Sequence, residues 1–278
     1  MIRATILIPA YNESAVIGRT LLHLSRGLPL SRWRIVVIAN GCSDATAAKA
    51  RSVLPRAIVL ETDKPGKCGA LNLGYQSAAP ERPVIFLDAD LDVTSEALNA
   101  LLAPIECGRA QATCGQMDVH AAEASPLVRT YYKGWRMNPY FDQGKFGGLF
   151  ALSAKAARSV FPLPDIIADD EFIRRSLPPE QIKFVPDARF IARAPLTLSS
   201  LFRVRRRALS GARALKGYGL PSPEKHSPLK VLFRAIRRPS HLVPALVYAA
   251  VNTLLRCASP QKTSPPIWDQ DLTSRIAR

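Results

Sequence analysis

The run Phe86-Leu87-Asp88-Ala89-Asp90, with Asp92 just beyond, sets carboxylates at alternate positions where an apolar segment ends. Two carboxylates so spaced at a strand end can share a hard divalent cation and its phosphate ligands. An acidic turn after a strand has the same composition, so the motif carries weight only in company. Ile8-Pro9-Ala10-Tyr11-Asn12-Glu13 and Ile38-Ala39-Asn40-Gly41-Cys42-Ser43-Asp44 each close a β-rich run with polar side chains. Those side chains could cap the helices that follow or meet a ligand. Lys64-Pro65-Gly66-Lys67-Cys68-Gly69-Ala70-Leu71-Asn72 puts a lysine at a helix start, which suits an anionic or polyol ligand. Its glycine spacing is not that of a nucleotide-triphosphate P-loop. Further on, Ala168-Asp169-Asp170-Glu171 crowds acids at the start of another helical pattern.

The elements that must hold these groups alternate. Strands are predicted over 5–9, 34–39, 57–60 and 84–87, with helices over 14–25 (capped at Asn12 or Ser14), from 45 to about 53, and over 68–78. Strand alternating with helix gives βαβ units and a largely parallel sheet, whose ligands bind beyond the carboxyl ends of the strands. Each polar cluster of the first half falls there. Beyond Asp92 the rhythm loosens: helices are predicted over 94–102, 127–137, 167–177 and 198–215, and strands over 111–119, 149–152 and 182–185. A turn bearing Gly144, Gly147 and Gly148 precedes 149–152.

The 278 residues suffice for one substantial core, with or without a small appendage. The formal charge of +16 points to an anionic partner, and it is uneven: from Asp187 to Arg238 there are 13 lysines and arginines against two acids. Five cysteines without a C-x-x-C pair argue against a disulfide framework and for a reducing, cytoplasmic setting. Four scattered histidines lack zinc-protease spacing, so any metal should be held by oxygen. The first residues read as a strand rather than a signal peptide. The one long apolar stretch, Leu242 to Leu255, is short of the roughly 20 residues a spanning helix needs. It is either a buried helix or one lying in a membrane interface.

Taken together, Pro-Ala-Tyr-Asn-Glu after the first strand, Asn-Gly-Cys-Ser-Asp-Ala-Thr after the second, Gly-Lys-x-x-Ala-Leu-Asn and Asp-Ala-Asp resemble family 2 glycosyltransferases in order and spacing, over residues 3–216. The resemblance implies an α/β fold: a GT-A type αβα sandwich with a largely parallel central sheet, followed by a basic helical C-terminal appendage. It implies a GT-A domain over 1–220, with a nucleotide-binding half (1–92) and an acceptor-binding half (93–220), and an appendage over 221–278.

By the same resemblance, Pro9, Tyr11, Glu13, Asn40 and Asp44 belong to the nucleotide-sugar site, Tyr11 and Glu13 along ribose and base and Asp44 at the base edge. Lys67 belongs near the nucleotide or donor sugar and Asp88 on the ribose or sugar side. Asp90 is the expected ligand of a divalent cation, Mn2+ or Mg2+, that bridges the diphosphate. Phe146-Gly147-Gly148-Leu149-Phe150 resembles an acceptor loop. The register of Phe172 and Arg175 puts the general base at Asp169, with Asp170 the competing position because Ala168 stands where relatives carry glutamate. Arg206, in the run Arg203 to Arg207, stands where relatives place a basic segment near the diphosphate.

The expected partners are a nucleoside-diphosphate sugar, with uridine the commonest base among relatives, an acceptor glycan or lipid-linked sugar, and an anionic membrane face. The expected location is cytoplasmic, at the inner face of the membrane. The Gln-x-x-Arg-Trp signature of processive synthases is absent, which speaks against processive polymer synthesis. A nucleotidyltransferase would need a glycine-rich, Arg/Lys-bearing signature near the N-terminus, which Pro9 to Glu13 does not supply. A nucleic-acid-binding protein has the charge in its favour but none of the recognised modules, so no nucleic-acid partner is expected.

Overall fold

The computed structural model describes residues 1–138, 146–221 and 239–258. In chain order the first half runs β1 (Ala4–Ala10), α1 (Ile17–Ser25), β2 (Trp33–Asn40), α2 (Thr46–Val53), β3 (Ile58–Thr62), α3 (Lys67–Tyr75) and β4 (Val84–Leu87). Then come β5 (Asp92–Val93), α4 (Ser95–Glu106), β6 (Ala112–His120), α5 (Pro126–Trp135), β7 (Leu149–Leu152), α6 (Ala154–Val160), α7 (Asp169–Arg175), β8 (Ile182–Arg193), α8 (Leu198–Ala214) and α9 (Leu242–Ala258).

One sheet takes the strands in the order β3-β2-β1-β4-β7-β6-β8-β5. The first four are parallel, as the βαβ rhythm requires, with Ala4 to Ala10 of β1 in register with Trp33 to Ala39 of β2. β7 then runs antiparallel to both β4 and β6, and β5 antiparallel to β8. β1 is buried except at Pro9, and β2 except at Arg34. Helices cover both faces of such strands, which is why they read as continuous apolar runs rather than alternating ones. Ile6, Ile8, Val37 and Ile85 meet Ile17, Leu21 and Leu98 in the core. Each such side chain is worth about 1.5–3 kcal/mol when fully buried.

Contacts divide the described residues into two compact units. The first holds 1–118 and 146–192, and the second 119–138, 193–221 and 239–258. In the second, α9 packs on α5. Ala245, Tyr248, Val251 and Leu255 form its buried face, and the Tyr131 and Tyr248 rings lie 5.5 Å apart. A Cβ on Gly134 would stand 2.1 Å from the Pro244 carbonyl oxygen, so only glycine lets these helices approach so closely. The opposite face keeps Val243 (63% exposed), Leu246 (56%) and Leu254 (58%) in solvent. The apolar segment is thus half packed and half exposed. Among the described residues, no helix is long and apolar enough to cross a membrane. Of the expected appendage, 222–238 and 259–278 lie outside the described residues.

Two local expectations need correcting, and one helix has no counterpart among them. The helix expected over 14–25 starts at Ile17, with Val16 at the cap position and no side-chain cap. Asn12 and Ser14 bond across to the loop after β2 instead. β8 extends to Arg193, well past the expected 182–185. Pro186-Asp187 reads as a break, yet the two-residue β5 pairs only with Phe190 and Ile191, so Pro186 lies on a stretch of β8 that β5 leaves uncovered, an edge position where a proline is tolerated. Helix α6 went unanticipated; Ser153 caps it by accepting the Ala156 N–H at 3.0 Å.

Candidate active site

The loops after β1 and β2 are stitched to each other. Asn12, at φ 51°, accepts the Ser43 N–H at 2.8 Å, and Glu13 donates its N–H to Thr46 Oγ1 at 2.8 Å. Asp44 accepts the N–H groups of Ser14 and Thr46, each at 3.0 Å, and the Thr46 hydroxyl. Burial pushes Asp44 upward, but these hydrogen bonds outweigh it and hold the carboxyl below its ordinary value. Buried Asn40 joins a third loop: its amide donates to Ala10 O at 2.8 Å and accepts the Gly66 N–H at 3.0 Å. One side chain therefore fixes the ends of β1 and β2 and the start of α3. Pro9 is the penultimate residue of β1, Tyr11 is half-buried, and Glu13 is buried.

The Asp88-Ala89-Asp90 turn is braced from α1, whose residues carry no local sign of that role. The Thr20 hydroxyl lies 2.8 Å from Ala89 O and 3.0 Å from Leu91 O. Arg19 donates to Asp90 O at 3.3 Å and pairs with Asp92 at 2.7 Å. Asp92 is thereby a structural partner of Arg19, while Asp90 is anchored through its backbone. On the other side Asp88 donates its N–H to Gly148 O at 2.8 Å. Gly148 has φ 86°, and a Cβ there would come 2.7 Å from Asp88 Oδ2. The buried Gly147-Gly148 turn can lie against Asp88 only because residue 148 has no side chain.

Helix α3 supplies the link to α7. Asn72 makes two hydrogen bonds to Leu163, donating to its carbonyl at 2.9 Å and accepting its N–H at 2.7 Å. The Cys68 thiol donates to Ile166 O at 3.2 Å. These contacts hold the segment that leads into α7 against the first residue of α3. There the Lys67 ammonium lies 2.8 Å from Asp88 Oδ1 and 3.1 Å from Asp169 Oδ2. Asp169 is 3% exposed. Burial pushes its carboxyl up and Lys67 draws it down, while Asp170 and Asp88 add to the rise, leaving it at about 6. Burial alone would lower Lys67, but Asp169, Asp88 and Asp170 raise it well above an ordinary lysine.

The other acids of α7 are differently engaged. Glu171 pairs with Arg174 at 2.8 Å and Arg175 at 2.7 Å. Asp170 accepts the Glu171 N–H through Oδ1 at 2.7 Å. The first unit thus brings Asp88, Lys67, Asp169 and the Gly147-Gly148 turn together and knits the Tyr11, Asn40 and Asp44 loops beside the start of α3. Arg206 lies on α8 of the second unit, exposed. Among the described residues, no cluster of three or more His, Cys, Asp or Glu side chains is placed to hold a metal ion. All five cysteines are free.

A parallel half-sheet whose strand ends carry these loops, continued by antiparallel strands, defines the GT-A class of glycosyltransferases. The model described as glycosyl transferase family 2 matches residues 5–158, more than half of the sequence, and the chain belongs to that family. No curated protein matches the sequence. Among solved structures, glucosyl-3-phosphoglycerate synthase from Mycobacterium tuberculosis, in complex with Mn2+, uridine-diphosphate-glucose and glycerol 3-phosphate, is 19% identical with a TM-score of 0.55. That match covers 78% of this chain and 80% of that one. A mannosyltransferase from Pyrobaculum calidifontis, in complex with GDP-Man and Mn2+, is 20% identical with a TM-score of 0.56, over 96% of this chain and 78% of that one. At these identities the likeness is one of fold.

Proposed function

We propose that this glycosyltransferase is inverting and moves a sugar from a nucleoside-diphosphate sugar to an acceptor hydroxyl, in the synthesis of a cell-surface polysaccharide or glycolipid. The observation that carries the reading is Lys67 in contact with both Asp88 and Asp169. It sets an acid at the end of the parallel strands beside a buried acid of the second half. Residues 1–92 form the nucleotide half and 93–220 the acceptor half, with 221–278 appended. Tyr11, Glu13, Asn40 and Asp44 line the nucleoside. Asp169 takes the proton of the acceptor hydroxyl as that oxygen attacks the anomeric carbon, opposite the diphosphate, and the bond to the diphosphate breaks with its electron pair on the leaving oxygen. Gly147 and Gly148 shape the acceptor side, and Arg206 serves the diphosphate.

The residues fit a divalent cation. Asp90 offers a half-buried carboxylate at a strand end, and no closed cage of acids surrounds it among the described residues. That donor set suits Mg2+ or Mn2+, which takes its remaining ligands from water and substrate phosphates. Bound there, the cation supplies positive charge to the departing diphosphate. Two proteins of like fold are described with manganese and a nucleotide sugar, one with a uridine and one with a guanosine diphosphate. Uridine is the favoured base.

Thermal unfolding across a panel of nucleotide sugars, with and without manganese, tests the reading. A ligand at a hundred times its Kd stabilises by about 2.7 kcal/mol. One uridine-diphosphate sugar should therefore raise Tm by several degrees in a manganese-dependent way. Folded protein that no nucleotide sugar stabilises in either condition overturns the assignment.

The acceptor reading extends to location. The exposed Val243, Leu246 and Leu254 of α9 make one apolar face. The sequence just before it, 222–238, holds five lysines and arginines against one acid. A second copy of the chain would set like charges together, whereas an anionic bilayer complements both features, each nearby basic residue contributing about 1 kcal/mol. A lipid-linked acceptor would suit that placement. Vesicles containing anionic lipid should sediment the full-length protein at low salt, and Val243→Ser with Leu246→Ser and Leu254→Ser should release it. Full-length protein that stays in the supernatant with anionic vesicles, or a triple variant that still sediments, rules the idea out.

A further inference from the structure

We propose that Lys67 is a positioning residue for the general base: it holds the Asp169 carboxylate ionised and aimed, and shares that one cation with the donor-side acid Asp88. The inference rests on the reading of Asp169 as the base. A lysine that served the donor alone would need contact with Asp88 and the phosphates. Here its ammonium also lies 3.1 Å from a carboxylate that is almost wholly buried. The same helix that begins with Lys67 fixes the far side of that contact, through Asn72 to Leu163 and Cys68 to Ile166. Cation and carboxylate therefore cannot drift apart independently.

The charges that face Asp169 make the need plain. Lys67 and Cys68 approach from α3, Asp88 from the end of β4, and Asp170 from α7 itself. Burial and Asp169 push the Cys68 thiol up to about 12, so it contributes no charge near neutrality. Asp88 and Asp170 are both acids, and each opposes ionisation of Asp169. Desolvation opposes it further. Lys67 is the cation among these groups. Without it, an acid already held at about 6 would take up a proton in the neutral range and could no longer accept one from the acceptor.

The test follows the Asp169 carboxylate itself in donor-free protein. Carbon-13 NMR of aspartate-labelled protein, with the Asp169→Asn variant to assign the signal, gives its titration directly. Lys67→Gln and Lys67→Met should each move that titration upward by at least one pH unit, and the acid limb of kcat should move with it. Both variants should lose at least tenfold in kcat at pH 7 and recover part of that loss at pH 8.5 or above. Lys67→Arg, which keeps the charge, should hold the titration near its original place.

A titration that stays put in the glutamine variant, with the loss confined to donor Kd, overturns the inference and returns Lys67 to donor binding. A fall in Tm with an unmoved acid limb overturns it too. Should methionine fail to fold, glutamine and arginine carry the comparison. If the titration moves as expected but Asp169→Asn keeps its turnover, the link between Lys67 and Asp169 stands, and the assignment of the base fails separately.

Discussion

Asp169→Asn is expected to bind the donor as tightly as the wild type, within a factor of a few, and to lose about 10²–10⁴-fold in kcat. The amide keeps the shape of the carboxylate but cannot take the acceptor's proton. Asp169 is nearly excluded from water and lies 3.1 Å from the Lys67 ammonium, whereas Asp170 turns its Oδ1 to the backbone N–H of Glu171 at 2.7 Å. Asp170→Asn should therefore cost much less. Single-turnover and steady-state rates on both variants, with donor binding measured separately, settle the order. A dead Asp170→Asn beside an active Asp169→Asn would move the base by one residue. The pH dependence follows in sign. With Asp169 at about 6, acceptor kcat/KM should fall about tenfold per unit below that value. The folded-state value lies above the ordinary aspartate value of about 4, so the folded state holds this proton more tightly than the unfolded one. The associated stability is fully present below about pH 4 and is lost as pH rises through the folded value, a slope that Asn removes.

Three strands of the parallel half, β1, β2 and β4, were legible because they are buried on both faces, whereas β3 has no buried residue and ends two residues past its expected bound. Thr5 to Pro9, Arg34 to Ala39 and Val84 to Leu87 read as continuous β-rich runs, and their observed bounds differ by a residue at most. The antiparallel half was harder for a physical reason. β8 is half-exposed and carries Pro186-Asp187, so its pattern imitates a turn. Of the site, the loops after β1, β2 and β4 announced themselves by residue type. What holds them did not. Arg19 and Thr20 sit in a helix pattern far from Asp90 in sequence, and nothing local says that they grip the 89–92 backbone. Asn72 stood in a recognised motif, but its bonds to Leu163 span 91 positions. Asp44 illustrates a merged role: residue type allowed a cap or a ligand contact, and it caps two loops while leaving the residue exposed.

Asp90→Ala is the second large effect, and Asp92→Ala is its control. Asp90 is held through its backbone carbonyl by Arg19, so removing its carboxylate should leave the turn and the fold in place. What disappears is the oxygen ligand proposed for the divalent cation. Charge stabilisation of a leaving diphosphate by such a cation is worth several kcal/mol, and each 1.36 kcal/mol is a factor of ten, so turnover should drop about a thousandfold or more. Titration calorimetry with a nucleoside diphosphate should show manganese strengthening binding to the wild type and not to Asp90→Ala. The variant in manganese should then resemble the wild type in chelator. Asp92→Ala should behave the other way. It strips the partner from an Arg19 side chain that is only 17% exposed, so Tm should fall while manganese still strengthens diphosphate binding. Manganese-dependent binding that survives in Asp90→Ala and vanishes in Asp92→Ala would move the ligand to Asp92, and binding unchanged in both would remove the cation from this strand end altogether.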